Sequence, residues 1–149
     1  MTIESLNRRR VLDLLDSFAH RDLEGALTHC TDDIDFLTHA PIDVLPHLGS
    51  RHGKAEMRAM WQTVQERYSE VRYQTPQLVA EGDMVAAYLR AHFRKRSNDR
   101  VVQFDMAVFY SFRDGRIAQI REIIDSYDLV QQVLERDIGP LIVGGEDHD

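Results

Sequence analysis

The stretch Phe109 to Asp125, FYSFRDGRIAQIREIID, places two alternating apolar segments on either side of Asp114-Gly115. Asp-Gly is a pair that a two-residue hairpin turn favours, because both central positions need positive φ. The alternation extends back to Val101 and forward to Ile124, which predicts strands over Val101 to Phe112 and Arg116 to Ile124. Further back, Val85 to Arg96 and Val71 to Ala80 read the same way. They are separated by Glu81-Gly82-Asp83 and followed by Ser97-Asn98-Asp99, each with a residue suited to tight reversal. Strands joined by such short turns form an antiparallel meander.

The N-terminal half has the other period. Leu6, Val11, Leu14, Leu15 and Phe18 make a helical stripe, with Arg8, Arg9, Asp13 and Asp16 opposite; the triple arginine Arg8 to Arg10 reads as a solvated face. Asp22 is positioned to cap a short helix from Leu23 to His29. Ile34 to Thr38 predicts a strand, and a long connection follows from His39 to Gly53, punctuated by Pro41, Pro46, Gly49 and Gly53. A connection of that length in a small domain is usually functional or mobile. Met57, Met60, Trp61, Val64 and Tyr68 then give a third helix. Ser126 or Asp125 can cap a last helix with Leu129, Val130, Val133 and Leu134 inward, and residues 144–149 read as a frayed tail after a single domain over residues 1–143. Helices first and a meander second predict an α+β fold with helices on one face of a curved sheet.

With 149 residues and 43% hydrophobic content, the chain has the material for one domain with a core and a pocket. Its formal charge of -7 argues against nucleic acid and anionic membrane surfaces as partners. No apolar run reaches the ~18 residues of a membrane span, and Met1 to Arg10 lacks a signal-peptide core. Cys30 is the one cysteine, which excludes an internal disulfide, so the expected location is the cytoplasm. Seven histidines occur, but none forms His-x-His or His-Glu-x-x-His, so the sequence offers no metal motif.

Strand parity sorts the candidate residues. Ala87, Leu89, Ala91 and Phe93 share an inward face, as do Phe104, Met106, Val108, Tyr110 and Phe112. On the last strand Ala118, Ile120, Glu122 and Ile124 share a face, leaving Ile117 and Arg121 on the other. Glu122 is thus an acid on an apolar face, where desolvation raises a carboxyl toward the pH at which a general acid or base works best. The bland reading is a glutamate satisfied by an arginine or by a hydrogen bond to Trp61 or Tyr110. Asp125 ends the same strand, with helix capping as its structural alternative. Of the loop histidines His39, His47 and His52, His39 directly follows the first strand and is the one expected at the mouth of the pocket. Phe36, Thr38, Trp61, Leu89, Val108 and Tyr110 are expected to line it. The outer face, with Tyr88, Arg90, His92, Arg94, Gln103, Asp105 and Arg121, reads as a charge ladder that is either wet or pressed against a second subunit.

The element order, the string Ala19 to Asp33 (AHRDLEGALTHCTDD) and above all Phe109 to Asp125 resemble the nuclear transport factor 2-like superfamily, in its SnoaL-like and ketosteroid-isomerase-like branch. The resemblance implies a cone-shaped, curved antiparallel sheet around the N-terminal helices, a mostly apolar pocket and often a homodimer through the sheet. It does not imply one reaction, since the fold hosts many. The positions that ketosteroid isomerases fill with a tyrosine and two acids fall on Leu14, Thr38 and Val108. Those that epoxide hydrolases of this fold fill with Arg-x-Asp and an acid fall on Leu89, Ala91 and Glu122. Only Glu122 keeps an acid. The expectation is cofactor-free acid–base chemistry (isomerase, cyclase, dehydratase or hydrolase) on a small apolar molecule, with Glu122, Asp125 and His39 as candidate catalytic residues. The alternative is a noncatalytic ligand-binding or dimerisation domain.

Overall fold

Helix α1 spans Ile3–Ala19 and starts at a capping box, in which Thr2 and Ser5 each accept a hydrogen bond from the other's backbone. Helix α2 (Leu23–Thr28) is capped by Asp22, whose carboxylate accepts from Gly25 N. Strands β1 (Cys30–His39) and β2 (Ser50–His52) follow, then α3 (Gly53–Arg67), β3 (Tyr68–Glu81), β4 (Met84–Lys95), β5 (Val101–Arg113), β6 (Arg116–Ile124), α4 (Ser126–Leu134) and α5 (Gly139–Val143). This computed structural model describes residues 1–143; the tail expected over 144–149 lies outside the described residues.

The six strands form one unclosed sheet in the order β2-β1-β6-β5-β4-β3, an α+β architecture with α1 and α3 against its inner side. The meander from β3 to β6 is antiparallel, as the turns predicted. Asp114 (φ 52°) and Gly115 (φ 79°) both occupy the left-handed region at the last turn, which Asp-Gly tolerates and most pairs do not. One pairing differs from the expected all-antiparallel sheet: β1 runs parallel to β6, with Thr38 beside Glu122. A local turn cannot make this pair, because parallel neighbours need a long crossover, here the whole meander.

Other boundaries shift for physical reasons. β1 begins at Cys30, four residues before the expected start, because exposed Asp32 and Asp33 sit where its pairing with β6 is irregular. Tyr68 opens β3 and does not close α3. Pro76 lies in the edge strand β3 where the register with β4 shifts, a place that needs no ladder N–H. In β6 a bulge beside Ser111 and Phe112 turns Ile117 inward together with Ile120, against simple alternation. In α4, Leu129 and Val130 are buried, but Leu134 is 48% exposed. The triple arginine is only partly a wet face: Arg9 is exposed, while Arg10 donates to Asn7 Oδ1 at 2.8 Å and lies over Gly115.

The core lies between α1, α3 and the sheet: Val11, Leu14 and Phe18 meet Met57, Met60, Trp61 and Val64, with Phe18 and Trp61 ring centroids 5.5 Å apart. Phe93 joins Tyr68, Tyr73 and Phe104 through edge contacts at 5.1–6.0 Å. Each such side chain contributes roughly 1.5–3 kcal/mol when fully buried. Close packing between helices and sheet stops short at one place, where an apolar hollow persists.

Candidate active site

A cavity of about 100 Å3 lies between α1, α3 and the inner sheet face. That is several times the ~10–15 Å3 needed by one water. Its walls are mostly apolar, including Leu14, Phe18, Phe36, Trp61, Met106 and Ile120; Thr38, His47, Tyr68, Tyr73, Tyr110 and Glu122 add the polar groups.

β6 carries Glu122 into this space between Ile120 and Ile124, both buried. The residue as a whole is half-buried, but its carboxyl lies inside, where Oε1 accepts a hydrogen bond from Thr38 Oγ1 at 2.7 Å. The parallel register makes this bond possible, since it sets Thr38 directly beside Glu122. Among the described residues it is the one hydrogen bond made by the side chains of the cavity's polar residues. Among the described residues no arginine pairs with the carboxyl. Arg121 turns to the other face and donates to Asp35 Oδ2 at 2.7 Å. Burial therefore dominates and pushes Glu122 from 4.5 up to about 7, with the Thr38 hydrogen bond pulling the other way. Burial and the Glu122 charge also hold Tyr73 and Tyr110 above the ordinary tyrosine range, so their hydroxyls stay protonated donors.

The expected site residues divide. Glu122, Thr38, Phe36, Trp61 and Tyr110 meet at the cavity. Leu89 and Val108 point inward as parity predicted, but they are 1% and 0% exposed core residues and line no part of the cavity. They lie where the sheet is closely packed. Asp125 is exposed; its side chain caps α4, accepting from Asp128 N at 3.4 Å, and it borders a shallow surface groove on the outer side. The strand ends at Ile124, the last inward position, and Asp125, one step further on, is carried out of the hollow. His39 is exposed for the same reason of parity, one step past Thr38.

His47 occupies the place expected of His39. It lies between buried Leu45 and half-buried Leu48, and that apolar flanking was the sequence signal for it. Burial, followed by the charges of Arg67 and Arg51, lowers its titration from 6.5 to about 4, so the ring is neutral at neutral pH. Tyr73 was also missed. It shares a face of β3 with Val71, an alternation obscured by the exposed residues of an edge strand.

N-terminal helices followed by a six-stranded, curved, unclosed sheet make the nuclear transport factor 2-like fold. Within it, residues 11–120 match the SnoaL-like domain, and the chain belongs to that family. A proposed isomerase from Rhodopseudomonas palustris is 30% identical, covering 91% of this chain and 100% of that one at a TM-score of 0.77. An LEH-like epoxide hydrolase from M. tuberculosis is 18% identical over 96% and 99% of the two chains, with a TM-score of 0.75. A proposed SnoaL-like polyketide cyclase from Jannaschia sp. CCS1 is 16% identical over 94% and 96%, with a TM-score of 0.74. The last two are similar in fold alone. No curated protein matches the sequence.

Proposed function

We propose that this chain is a SnoaL-like enzyme that holds a small, largely apolar organic molecule in the cavity and moves a proton on it through Glu122, without a cofactor. The observation that carries the reading is a carboxyl lifted to about 7 inside an apolar hollow, with a single hydrogen-bond partner. A group so poised takes a proton from carbon or oxygen in one step and returns it in the next. Tyr73 and Tyr110, unionised and near the same carboxyl, are placed to donate to an oxygen that gains charge as the proton leaves. Isomerisation, cyclisation, dehydration and hydrolysis all have this form.

A second reading is a noncatalytic ligand-binding domain, and one observation favours it: with Asp125 capping α4, Glu122 is the only carboxylate on the cavity wall among the described residues. Turnover by the wild type and by Glu122→Gln across a panel of hydrophobic carbonyl compounds and epoxides separates the two. Loss of turnover in a folded variant supports catalysis, and a wild type inert to the whole panel that still binds panel members supports the binding domain.

We also propose a homodimer through the outer sheet face. Phe109 and Ile123, 39% and 53% exposed, lie on adjoining strands with Tyr88 beside Ala107, forming an apolar patch bordered by Arg121 and the Arg90–Asp105 pair at 3.2 Å. The cytoplasm is the proposed compartment, on the strength of the lone thiol of Cys30.

A further inference from the structure

Glu122 brings into the hollow a charge that the protein does not balance. Its Oε1 takes the Thr38 hydrogen bond, whereas Oε2 makes none among the described residues and, unlike the sealed Nδ1 of His47, keeps accessible surface. The residue lines the cavity, so that oxygen is open to what the cavity holds. No lysine or arginine lines it among the described residues, and His47, the one basic side chain there, titrates at about 4 and is neutral at neutral pH. Around the acid stand aromatic rings. Trp61, Phe18, Tyr73, Phe93 and Phe104 all line the cavity and form a continuous chain, with successive centroids 5.5, 6.4, 6.0 and 5.3 Å apart. Their planes are inclined to one another by 39–82°, so none of these pairs is stacked flat and the rings do not use up one another's faces. The face of an aromatic ring is its negative side, and it attracts a cation lying within about 6 Å.

We propose that the ligand of this cavity is a small alkylammonium ion, its nitrogen beside Glu122 Oε2 and its alkyl groups against the rings of Trp61, Phe18 and Tyr73. The inference rests on the cavity being a small-molecule site and adds the charge its ligand carries. A buried carboxylate without a cationic partner is unfavourable, and a cation held beside it offsets that cost. A bare metal ion is the poorer complement, because it demands several oxygen ligands, and no cluster of three acidic, histidine or cysteine side chains suited to a metal occurs among the described residues. An ammonium clothed in methyl or methylene groups asks for one anion and for apolar or π surface elsewhere, which is what these walls supply. Such an ion also keeps Glu122 ionised, the form that accepts a proton in the chemistry proposed above.

Trp61, the only tryptophan, lines the cavity, so its fluorescence reports occupancy. The probes are choline and 3,3-dimethylbutan-1-ol, alike in shape, with a carbon in the second where the first has its charged nitrogen. Wild type and Glu122→Gln are titrated with both at pH 6 and pH 8, at constant ionic strength. Across this interval Glu122, which titrates at about 7, passes from about one-tenth to about nine-tenths ionised. His47 stays neutral, burial keeps Tyr68, Tyr73 and Tyr110 protonated, and Arg51 and Arg67, whose charges act on His47, stay charged. Wild type is therefore expected to bind choline about tenfold more tightly at pH 8 than at pH 6, with the alcohol unchanged within about twofold, and Glu122→Gln to lose the rise. Binding of the alcohol without choline, the same pH profile for both probes, or a choline rise that persists in Glu122→Gln overturns the ammonium ligand and leaves the cavity reading standing. No binding of either probe to the wild type overturns both. If Glu122→Gln does not fold, carbon-13 detection of the wild-type Glu122 carboxyl decides: choline is expected to lower its titration by about one unit or more, and an unmoved titration overturns the proposal.

Discussion

Replacing Glu122 with Gln should stabilise the protein in a way that depends on pH, and the structure sets both sign and size. The unfolded chain releases the Glu122 proton near 4.5, whereas the folded chain keeps it until about 7. Between those values the folded state binds more protons, so stability falls as pH rises through the window, then levels off above it. Each unit of displacement is worth about 1.4 kcal/mol, which makes the full penalty about 3 kcal/mol. Glutamine keeps an oxygen for Thr38 and carries no charge at any pH, so the variant escapes the penalty. Wild type and variant should therefore match near about pH 4, and the variant should be more stable by up to about 3 kcal/mol at about pH 8.5, or up to about 10 °C in Tm for a chain of this size. His47 tilts the wild-type curve the other way. Its folded-state titration is lowered from 6.5 to about 4, so stability rises with pH across that interval. The wild-type curve alone thus conceals both groups, and only the difference between the two proteins isolates Glu122. Urea denaturation of each across this pH range is the assay. Parallel curves for the two proteins would refute the claim that a desolvated carboxyl without a cationic partner occupies the cavity.

Thr38→Val removes the hydrogen bond that holds the Glu122 titration down. Carbon-13 detection of the Glu122 carboxyl should show it moving up by about one to two units, since a hydrogen bond to a charged group is worth roughly 1.5–3 kcal/mol. Asp125→Ala should cost about 1 kcal/mol in denaturation experiments, as a lost helix cap does, with the Glu122 titration unmoved; a titration shifted by a unit would return Asp125 to the cavity. Ile123→Lys, placed in the outer apolar patch, should convert the proposed dimer to monomer in sedimentation equilibrium with little loss of fold. A wild type that sediments as a monomer disposes of that interface.

Much of this was legible in the residues because local chemistry and tertiary placement agree. Asp114-Gly115 demanded its turn, Asp22 its cap, and the alternation through Phe104, Met106, Val108 and Tyr110 set the inner face of β5. Glu122 was legible as a charge on an apolar face. The misses occur where alternation does not decide. Inward-pointing and cavity-lining are different properties, and Leu89 and Val108 have the first alone, because helix packing determines where the hollow lies. A single bulge turned Ile117 inward. His39 and His47 sit on one irregular connection, where no period exists to orient either, and burial of Leu45 chose between them. The parallel β1–β6 pairing had no local signature because its partners are far apart in sequence.

That separation bears on how the molecule comes into being. Thr38 and Glu122 stand 84 positions apart, and the strand that carries the acid is the last of the sheet to be synthesised. Ribbon contacts within the meander can form early, each over a short loop, but β1 must wait for β6 before its central pairing exists. A nascent chain halted before Arg116 would hold most of the sheet and none of the acid. The working group is thus assembled by the slowest-closing contact of the sheet, so that chemistry and completed folding arrive together.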